Sequence, residues 1–285
     1  MIVALVLLSA FIHALWNALL RLEDERDRAL MAAVALATGI AAAVAGARWG
    51  LGEAPFASMR GVAFTVLAGI LEAAYFATLA RSMELGQLGV VYTISRGGAV
   101  LVVWPLSIAL FGEEATALAI GGSALVVGGL ALSGLGARRG GAGGGQRAAV
   151  SWAVACAVSI AGYNLAYTAA LHEAANPSAC FALSLGVSAA INGVRLGGRA
   201  GGRGKLAALV RRRWRRLAVI GLGCAASFLI LMEALARGGS AHVVTLRNTS
   251  VLFAMVMAWR IGERPARVEV MGAVLVAAGA ALLAL

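Results

Sequence analysis

Three ionisable residues stand inside long apolar stretches of this chain. Glu72 lies in AGILEAAYFATLA, Arg96 in TISRGGA and Arg247 in TLRNTS. A charge within a membrane-spanning helix costs roughly 2.5–3.5 kcal/mol on insertion scales, so these residues are candidates for a functional site. Because an apolar setting favours the neutral form of a carboxyl group, we predict that Glu72 couples proton movement to substrate movement. The alternative is that Glu72 pairs with a base such as Arg96 and only holds two helices together.

The two arginines have the chemistry that recognises an anion. A guanidinium in a cavity binds a carboxylate through two parallel hydrogen bonds. We predict that Arg96 and Arg247 contact an anionic group of a substrate, with Asn248 beside them. The alternative is that each side chain extends along its helix to reach the membrane interface.

Polar and aromatic residues of three further segments complete the candidate site. His13 and Asn17 are four residues apart and therefore share one helix face. These residues offer hydrogen bonds and stacking to a substrate, and His13 is also a candidate proton carrier. The alternative is that the polar groups bond between helices and only pack them. The full set of these candidates is His13, Asn17, Tyr75, Tyr163, Asn164 and Tyr167.

The composition requires a membrane protein to position these residues. The chain has 285 residues, of which 61% are hydrophobic and 13% charged, and its mean hydropathy is +0.88. Soluble domains carry about 25% charged residues. About 20 apolar residues span a bilayer as a helix, which satisfies its own backbone hydrogen bonds. We therefore predict an all-α integral membrane protein with ten transmembrane helices, at 2–20, 29–47, 61–80, 88–110, 115–135, 151–170, 177–194, 216–236, 241–260 and 267–285.

The sequence contains an internal repeat. Residues 86–132 resemble residues 238–284, and both copies have a Gly-Glu pair after the first apolar helix, Gly112-Glu113 and Gly262-Glu263. The Gly-rich, basic segment 136–150 then separates two five-helix halves, 1–135 and 151–285. Because five is an odd number of spans, the second half enters the membrane in the opposite sense. The repeat is therefore predicted to be inverted, a pattern that places a substrate site between the halves.

The net charge of +11 follows the connections between spans. Connections after odd-numbered spans hold 19 of the 24 lysines and arginines, and connections after even-numbered spans hold 3. The positive-inside rule then places both termini outside the cytoplasm. The basic run 199–216 is interpreted as an anchor beside anionic lipid, and no nucleic-acid partner is predicted. The three cysteines are isolated in apolar segments, so no disulfide, metal or cofactor site is predicted.

Several of these features resemble a known family. The sequence HALWN in the first span and the Gly-Glu ends of spans four and nine are similar to EamA-type ten-helix permeases of the drug/metabolite transporter superfamily. The resemblance covers nearly the whole chain and implies a basket of ten helices around a central cavity. Members export amino acids, other metabolites or drugs. They are usually drawn with cytoplasmic termini, whereas the distribution of basic residues predicts the opposite.

Together these observations predict a secondary transporter and not an enzyme. The chain has no G-x-x-x-x-G-K-[ST] loop, H-E-x-x-H or G-x-S-x-G motif. We expect an exporter of small metabolites such as amino acids in the bacterial inner membrane, working by alternating access as a monomer or homodimer, with protons as the candidate coupling ion. Two alternatives remain, a permease for organic anions such as carboxylates or phosphonates, and a membrane scaffold that transports nothing.

Overall fold

In the described part of the chain all regular structure is helical. A computed structural model describes residues 2–112, 117–139, 144–198, 202–237 and 240–283. Its helices are α1 (Ile2–Arg21), α2 (Arg26–Gly50), α3 (Met59–Leu85), α4 (Leu88–Phe111), α5 (Ala117–Arg139), α6 (Gly144–His172), α7 (Pro177–Gly197), α8 (Gly202–Arg237), α9 (Ser240–Arg247), α10 (Ser250–Arg260) and α11 (Arg267–Leu283).

These helices make the chain an integral membrane protein. Among the described residues, seven helices are long and apolar enough to cross a bilayer, and two shorter apolar helices cover Ile120–Ser133 and Ser250–Arg260. The seven are α1, α2, α3, α4, α6, α7 and α8, which correspond to spans one to four and six to eight of the sequence prediction. Helical backbone satisfies most of its own polar groups, as a lipid environment requires.

The ninth predicted span, 241–260, is not one helix. It consists of α9 and α10, which meet at Asn248 and Thr249. Across this break the backbone N–H groups of Thr249, Val251 and Leu252 bond to carbonyls three residues earlier, in place of four. The Thr249 hydroxyl donates to the carbonyl of Leu246 at 2.9 Å and so competes with the helical backbone for this acceptor, which favours an interruption at this point.

Two other boundaries differ from the expected ones. α8 begins at Gly202, fourteen residues before the predicted span, and its backbone leaves helical geometry at Arg213 (φ −122°, ψ 16°). The Leu, Ala, Arg and Lys residues of this extension are strong helix formers, so the basic run continues the helix. Helical backbone also covers most of segment 136–150, since α5 ends at Arg139 and α6 begins at Gly144.

The repeated Gly-Glu pair has a structural role where it is described. Gly112 and Gly262 adopt φ of 70° and 90°, a left-handed conformation that ends a helix and that glycine tolerates best. Glu263 then turns back, and its Oε2 accepts a hydrogen bond of 2.9 Å from the backbone N–H of Leu88 at the start of α4. Glu113 lies outside the described residues.

Helices of each half of the chain pack against helices of the other half. α3 packs along α6 and on α7, whereas α8 packs along α1 and on α2. A Cβ on Gly69 of α3 would lie 2.5 Å from the carbonyl oxygen of Ser184 in α7. A Cβ on Gly221 of α8 would lie 2.9 Å from the carbonyl oxygen of Ala33 in α2. Backbone contact of this kind is typical of small residues at membrane helix interfaces.

α5 and α11 also touch through their backbones. A Cβ on Gly129 would lie 2.5 Å from the carbonyl oxygen of Gly272, and a Cβ on Gly279 would lie 2.5 Å from that of Gly122. The glycines are seven residues apart in each helix, so the same helix face makes both contacts. The fifth and last helices therefore form an antiparallel seam, which we call the glycine seam.

Ion pairs close both ends of the helix bundle. At one end Arg21 Nε lies 2.9 Å from Glu263 Oε1, and Arg216 Nη1 lies 3.1 Å from Glu23 Oε1. We call this the basic end, because the connections after odd-numbered spans meet there. At the opposite end Arg48 pairs with Glu233 and, at 2.7 Å, with Glu53. Each end thus joins residues from both halves of the chain.

Candidate functional site

His13 of α1 lies at the centre of the candidate site. Its ring is fully buried, and a guanidinium contacts each of its two nitrogens. Arg96 of α4 contacts Nε2 through Nη2, and Arg247 of α9 places Nη2 3.0 Å from Nδ1. Arg96 and Arg247 are 4% and 2% exposed, so neither extends to the membrane interface. The structure therefore brings together three residues that the sequence only places on separate helices, and we call them the arginine–histidine cluster.

Hydrogen-bond donors outnumber acceptors in this cluster. The Nε1–H of Trp16 also points at His13 Nδ1, at 3.3 Å. The hydroxyls of Tyr75 and Ser227 lie 3.5 Å from Nε2 and Nδ1. A neutral imidazole accepts at only one of its two nitrogens, so it cannot satisfy all these donors at once.

Aromatic rings cover the two guanidinium groups. Arg247 Cζ lies 4.7 Å from the centroid of the Phe228 ring, and Arg96 Cζ lies 5.6 Å from that of Tyr92. Both distances are within the range of cation–π attraction, which contributes about 0.5–2 kcal/mol each. Within the described residues, neither guanidinium forms an ion pair with a carboxylate. Ring faces and dipoles thus replace the counter-ion that a buried cation usually has.

Glu72 lies beside the cluster and not in it. Its Oε2 accepts hydrogen bonds from Tyr167 at 3.1 Å and from Ser184 at 3.4 Å. Its Oε1 is buried and has no partner among the described residues. The alternative pairing with Arg96 is therefore absent, and Glu72 keeps an acceptor atom free for a proton or a ligand.

A row of tyrosines connects Glu72 with the arginine–histidine cluster. The ring centroids of Tyr75 and Tyr163 are 5.4 Å apart, and those of Tyr163 and Tyr167 are 5.6 Å apart. Tyr75 reaches His13 at one end, and Tyr167 donates to Glu72 at the other. All three rings are fully or almost fully buried. The predicted aromatic residues therefore line one continuous path between the acid and the bases.

Asn17 and Asn164 have matching environments in the two halves. The Nδ2 of each donates to the carbonyl four residues earlier in its own helix, at 2.8 Å to His13 and 2.7 Å to Ile160. The Oδ1 of each is buried without a partner among the described residues. Their side-chain amides bond within their own helices and not between helices, and the free oxygens remain as acceptors.

Asn248 follows Arg247 directly at the break between α9 and α10. It is 3% exposed, and its Nδ2 has no acceptor in the described part of the chain. The Nε and Nη1 atoms of Arg247 are likewise buried without an acceptor. The break therefore places three buried donor atoms without acceptors in the described part of the chain next to His13.

Four residues of the site were missed from the sequence. Tyr92 precedes Arg96 by one helical turn, and Ser184 begins a polar stripe with Ser188 and Asn192 at four-residue spacing. Ser227 and Phe228 occupy the positions of AASFLILM that match Tyr75 and Phe76 in AAYFATLA. Spacing and the internal repeat thus carried a signal for the missed residues, which are Tyr92, Ser184, Ser227 and Phe228.

The arrangement suits the binding of a polar or charged small molecule. Among the described residues, no group of three or more His, Cys, Asp or Glu side chains is placed to hold a metal ion. The three cysteines, Cys156, Cys180 and Cys224, are buried and free. The polar groups converge in the bundle interior, where desolvation strengthens their electrostatic interactions.

Comparison with known proteins bears on both the family and the fold of this chain. Residues 147–285 match the model of the EamA-like transporter family. A solved crystal structure of another protein superposes on 99% of this chain and 94% of its own, with a TM-score of 0.68 and 18% sequence identity, and thus shares the fold. No curated protein matches the chain. Over residues 147–285, the match to the family model confirms the resemblance to EamA-type permeases that the sequence carries.

Proposed function

We propose that this chain is a secondary transporter that moves small metabolites such as amino acids across the bacterial inner membrane. One observation carries the proposal. Buried Arg96, His13 and Arg247, contributed by both halves of the chain, meet in the bundle interior without a carboxylate partner among the described residues. Neither buried cation has a counter-ion among the described residues, and Arg247 has two donor atoms without an acceptor, so an external acceptor is needed and a substrate supplies it.

The two halves work as inverted repeats in this proposal. Their packing supports it, since Gly69 of α3 lies on Ser184 of α7 as Gly221 of α8 lies on Ala33 of α2. The glycine seam likewise pairs the last helix of the first half, α5, with the last helix of the second half, α11. Rocking of one half against the other would then open the central site to each side in turn.

The ion pairs at the two ends act as gates. Arg21–Glu263 closes the basic end and Arg48–Glu233 the opposite end, and each pair joins the two halves. In this proposal, the arrangement with both pairs formed is the occluded state of the transport cycle. Partly exposed ion pairs contribute only about 0–1 kcal/mol each, so thermal motion opens either gate easily.

Glu72 is the proton carrier in this mechanism. It is fully buried, its Oε1 has no partner among the described residues, and the tyrosine row connects it with the arginine–histidine cluster. A substrate anion and the ionised Glu72 would therefore compete for the same positive charge. Protonation of Glu72 then favours binding of the anion, and its deprotonation favours release.

Export with both termini outside the cytoplasm is the direction that we propose. The orientation of the termini in this proposal rests on the distribution of basic residues, because the end that joins the odd connections holds most of the lysines and arginines. The bundle itself is symmetric enough to work in either direction. The substrate gradient and the proton gradient therefore set the direction of net transport.

A second candidate is a permease for organic anions. The two guanidinium groups without a described acid partner favour it, because they bind a carboxylate or a phosphonate as readily as an amino acid. The third candidate is a scaffold without transport. Burying unpaired polar groups lowers the stability of the folded protein, and a scaffold has no use for such groups, so this candidate is disfavoured. Substrate competition separates the first two candidates.

The test is transport into proteoliposomes that contain the purified protein. A panel of labelled amino acids, carboxylates and phosphonates is measured with and without a pH gradient, for the wild type and for Glu72→Gln. Glu84→Gln is the matched control, because Glu84 pairs with Arg81 at the surface, far from the tyrosine row. The wild type and the control should respond to the pH gradient, and Glu72→Gln should not.

Three results would contradict parts of the proposal. Transport that ignores the pH gradient and survives Glu72→Gln would leave a facilitator and remove the proton role of Glu72. Transport limited to carboxylates or phosphonates would favour the organic-anion permease. No transport of any compound, together with full tolerance of alanine at Glu72, Arg96 and Arg247, would favour the scaffold.

A further inference from the structure

The interrupted ninth span places a helix N-terminus inside the bundle. α10 begins at Ser250 and runs for 11 residues to the end of the span at Arg260, and α9 ends at Arg247. Three residues at the break are buried, with Arg247 at 2%, Asn248 at 3% and Ser250 at 0% exposure, whereas Thr249 is half-buried. The side chains of Arg247 and Asn248 therefore lie in the protein interior.

A helix N-terminus favours negative charge. At the start of α10 the N–H groups of Val251 and Leu252 bond to the carbonyls of Asn248 and Thr249, but the aligned peptide dipoles still leave about half a positive charge at a helix N-terminus. Thr249, the N-cap of α10, makes no side-chain cap hydrogen bond to these N–H groups. In interrupted helices of transporters, such N-termini point at the anionic groups of substrates.

The side chains at the break give an independent indication of the same ligand. Three of their atoms are buried without a partner in the described part of the chain, Nε and Nη1 of Arg247 and Nδ2 of Asn248. All three are hydrogen-bond donors. A ligand that satisfies them must be an acceptor, and the guanidinium charge favours an anion over a neutral acceptor.

The surrounding residues provide no such acceptor. Arg247 already donates to His13 through Nη2, and the ring is shared with Arg96 and Trp16. Phe228 covers the Arg247 guanidinium with its ring face. Leaving a buried donor unsatisfied costs about 1–3 kcal/mol, more for a charged group, so three such atoms at one place are unusual in a site without a ligand.

We propose that the break between α9 and α10 is the binding site for the carboxylate or phosphonate group of the transported substrate. The anion accepts from the free guanidinium nitrogens of Arg247 and from Nδ2 of Asn248, and it lies at the positive end of the α10 dipole. Arg96 and His13 hold Arg247 in position from the other side. This assignment rests on the proposed transport function and names the substrate class of that site.

The test measures anion binding separately from transport. Full-length protein in detergent is titrated with sodium acetate or sodium methylphosphonate at constant ionic strength, with sodium chloride as the reference and thermal unfolding as the readout. The variants are Asn248→Ala and, as the matched control, Asn192→Ala. Asn192 is also a buried asparagine, but its Nδ2 already donates to the carbonyls of Ala73 and Ser188.

We expect both anions to raise the unfolding temperature of the wild type and of Asn192→Ala. Asn248→Ala should need about 10-fold more anion for the same shift, because it loses one hydrogen bond to a charged group. Asn248→Asp should lose the effect completely, since it adds a negative charge at the site. No stabilisation of the wild type, or equal stabilisation of Asn248→Ala, would overturn the assignment, the second result by placing the anion elsewhere.

Transport measured on the same preparations separates this assignment from the proposed function. Transport of a compound without an anionic group, unaffected by Asn248→Ala, would overturn the anion site and leave the transporter. Anion binding that depends on Asn248 in a protein that transports nothing would support the site and refute the transporter.

Discussion

The glycine seam between α5 and α11 gives a quantitative test of the packing. A Cβ on Gly129 would lie 2.5 Å from the carbonyl oxygen of Gly272 and 2.8 Å from the backbone nitrogen of Val276. Both contacts are with backbone atoms, which cannot rotate away as a side chain can. Ordinary van der Waals contact begins at 3.4 Å, so Gly129→Ala must push the two helices apart by about 0.9 Å or strain them.

Gly128 is the matched control, one residue away on the same helix. A Cβ at this position meets nothing within 4 Å. Replacing glycine with alanine in a helix interior stabilises it by about 0.5–1 kcal/mol, and this gain is the same at both positions. Overpacking a close contact costs about 1–3 kcal/mol. The gain cancels in the comparison, and Gly129→Ala should be less stable than Gly128→Ala by about 1–3 kcal/mol.

The assay is reversible unfolding of both variants in the same detergent, followed by helical circular dichroism. The two unfolding free energies should differ in the stated direction, with Gly128→Ala at or above the wild type. Equal stabilities, or a more stable Gly129→Ala, would refute backbone contact between α5 and α11. If both variants aggregate, Gly121→Ala tests whether α5 tolerates alanine at another open position, because a Cβ at Gly121 also meets nothing within 4 Å.

Two further predictions concern the ends of the helices. Glu263→Gln removes the ion pair with Arg21 and weakens the hydrogen bond from the Leu88 N–H. The Leu88 amide should therefore exchange its hydrogen about 3- to 10-fold faster, as measured by mass spectrometry. An unchanged exchange rate would contradict the capping role of Glu263. Ser58→Ala removes the N-cap hydrogen bond of α3 and should lower the unfolding free energy by about 1 kcal/mol. The control, Ser151→Ala on the exposed face of α6, should have little effect. Equal losses of unfolding free energy would show that the cap is not responsible.

Much of the fold follows from short stretches of sequence. A spanning helix must satisfy its own backbone hydrogen bonds, so an apolar run of sufficient length predicts a helix without knowledge of its neighbours. For this reason the predicted spans 2–20, 61–80 and 177–194 correspond to α1, α3 and α7. The extension of α8 before residue 216 was not predicted, because a basic amphipathic run is equally compatible with a solvated loop.

The interruption of the ninth span depends on more than composition. Residues 241–260 are apolar enough to form one helix, and Asn248 and Thr249 occur within many unbroken helices. The break is stable because Arg247 is held by His13 and Phe228, which come from α1 and α8. Neither contact can be inferred from residues near the break.

The sequence by itself determined which residues could do chemistry and on which helix each lies. Burial of a charge in an apolar run is costly wherever the run packs, so Glu72, Arg96 and Arg247 could be selected from local sequence. Only the tertiary structure decided which of them meet. Glu72 bonds to Tyr167 and Ser184 and not to Arg96, and both arginines converge on His13. The reason is that partner choice depends on how helices distant in sequence are rotated and packed, and small residues such as Gly69 and Gly221 set that packing through backbone contacts.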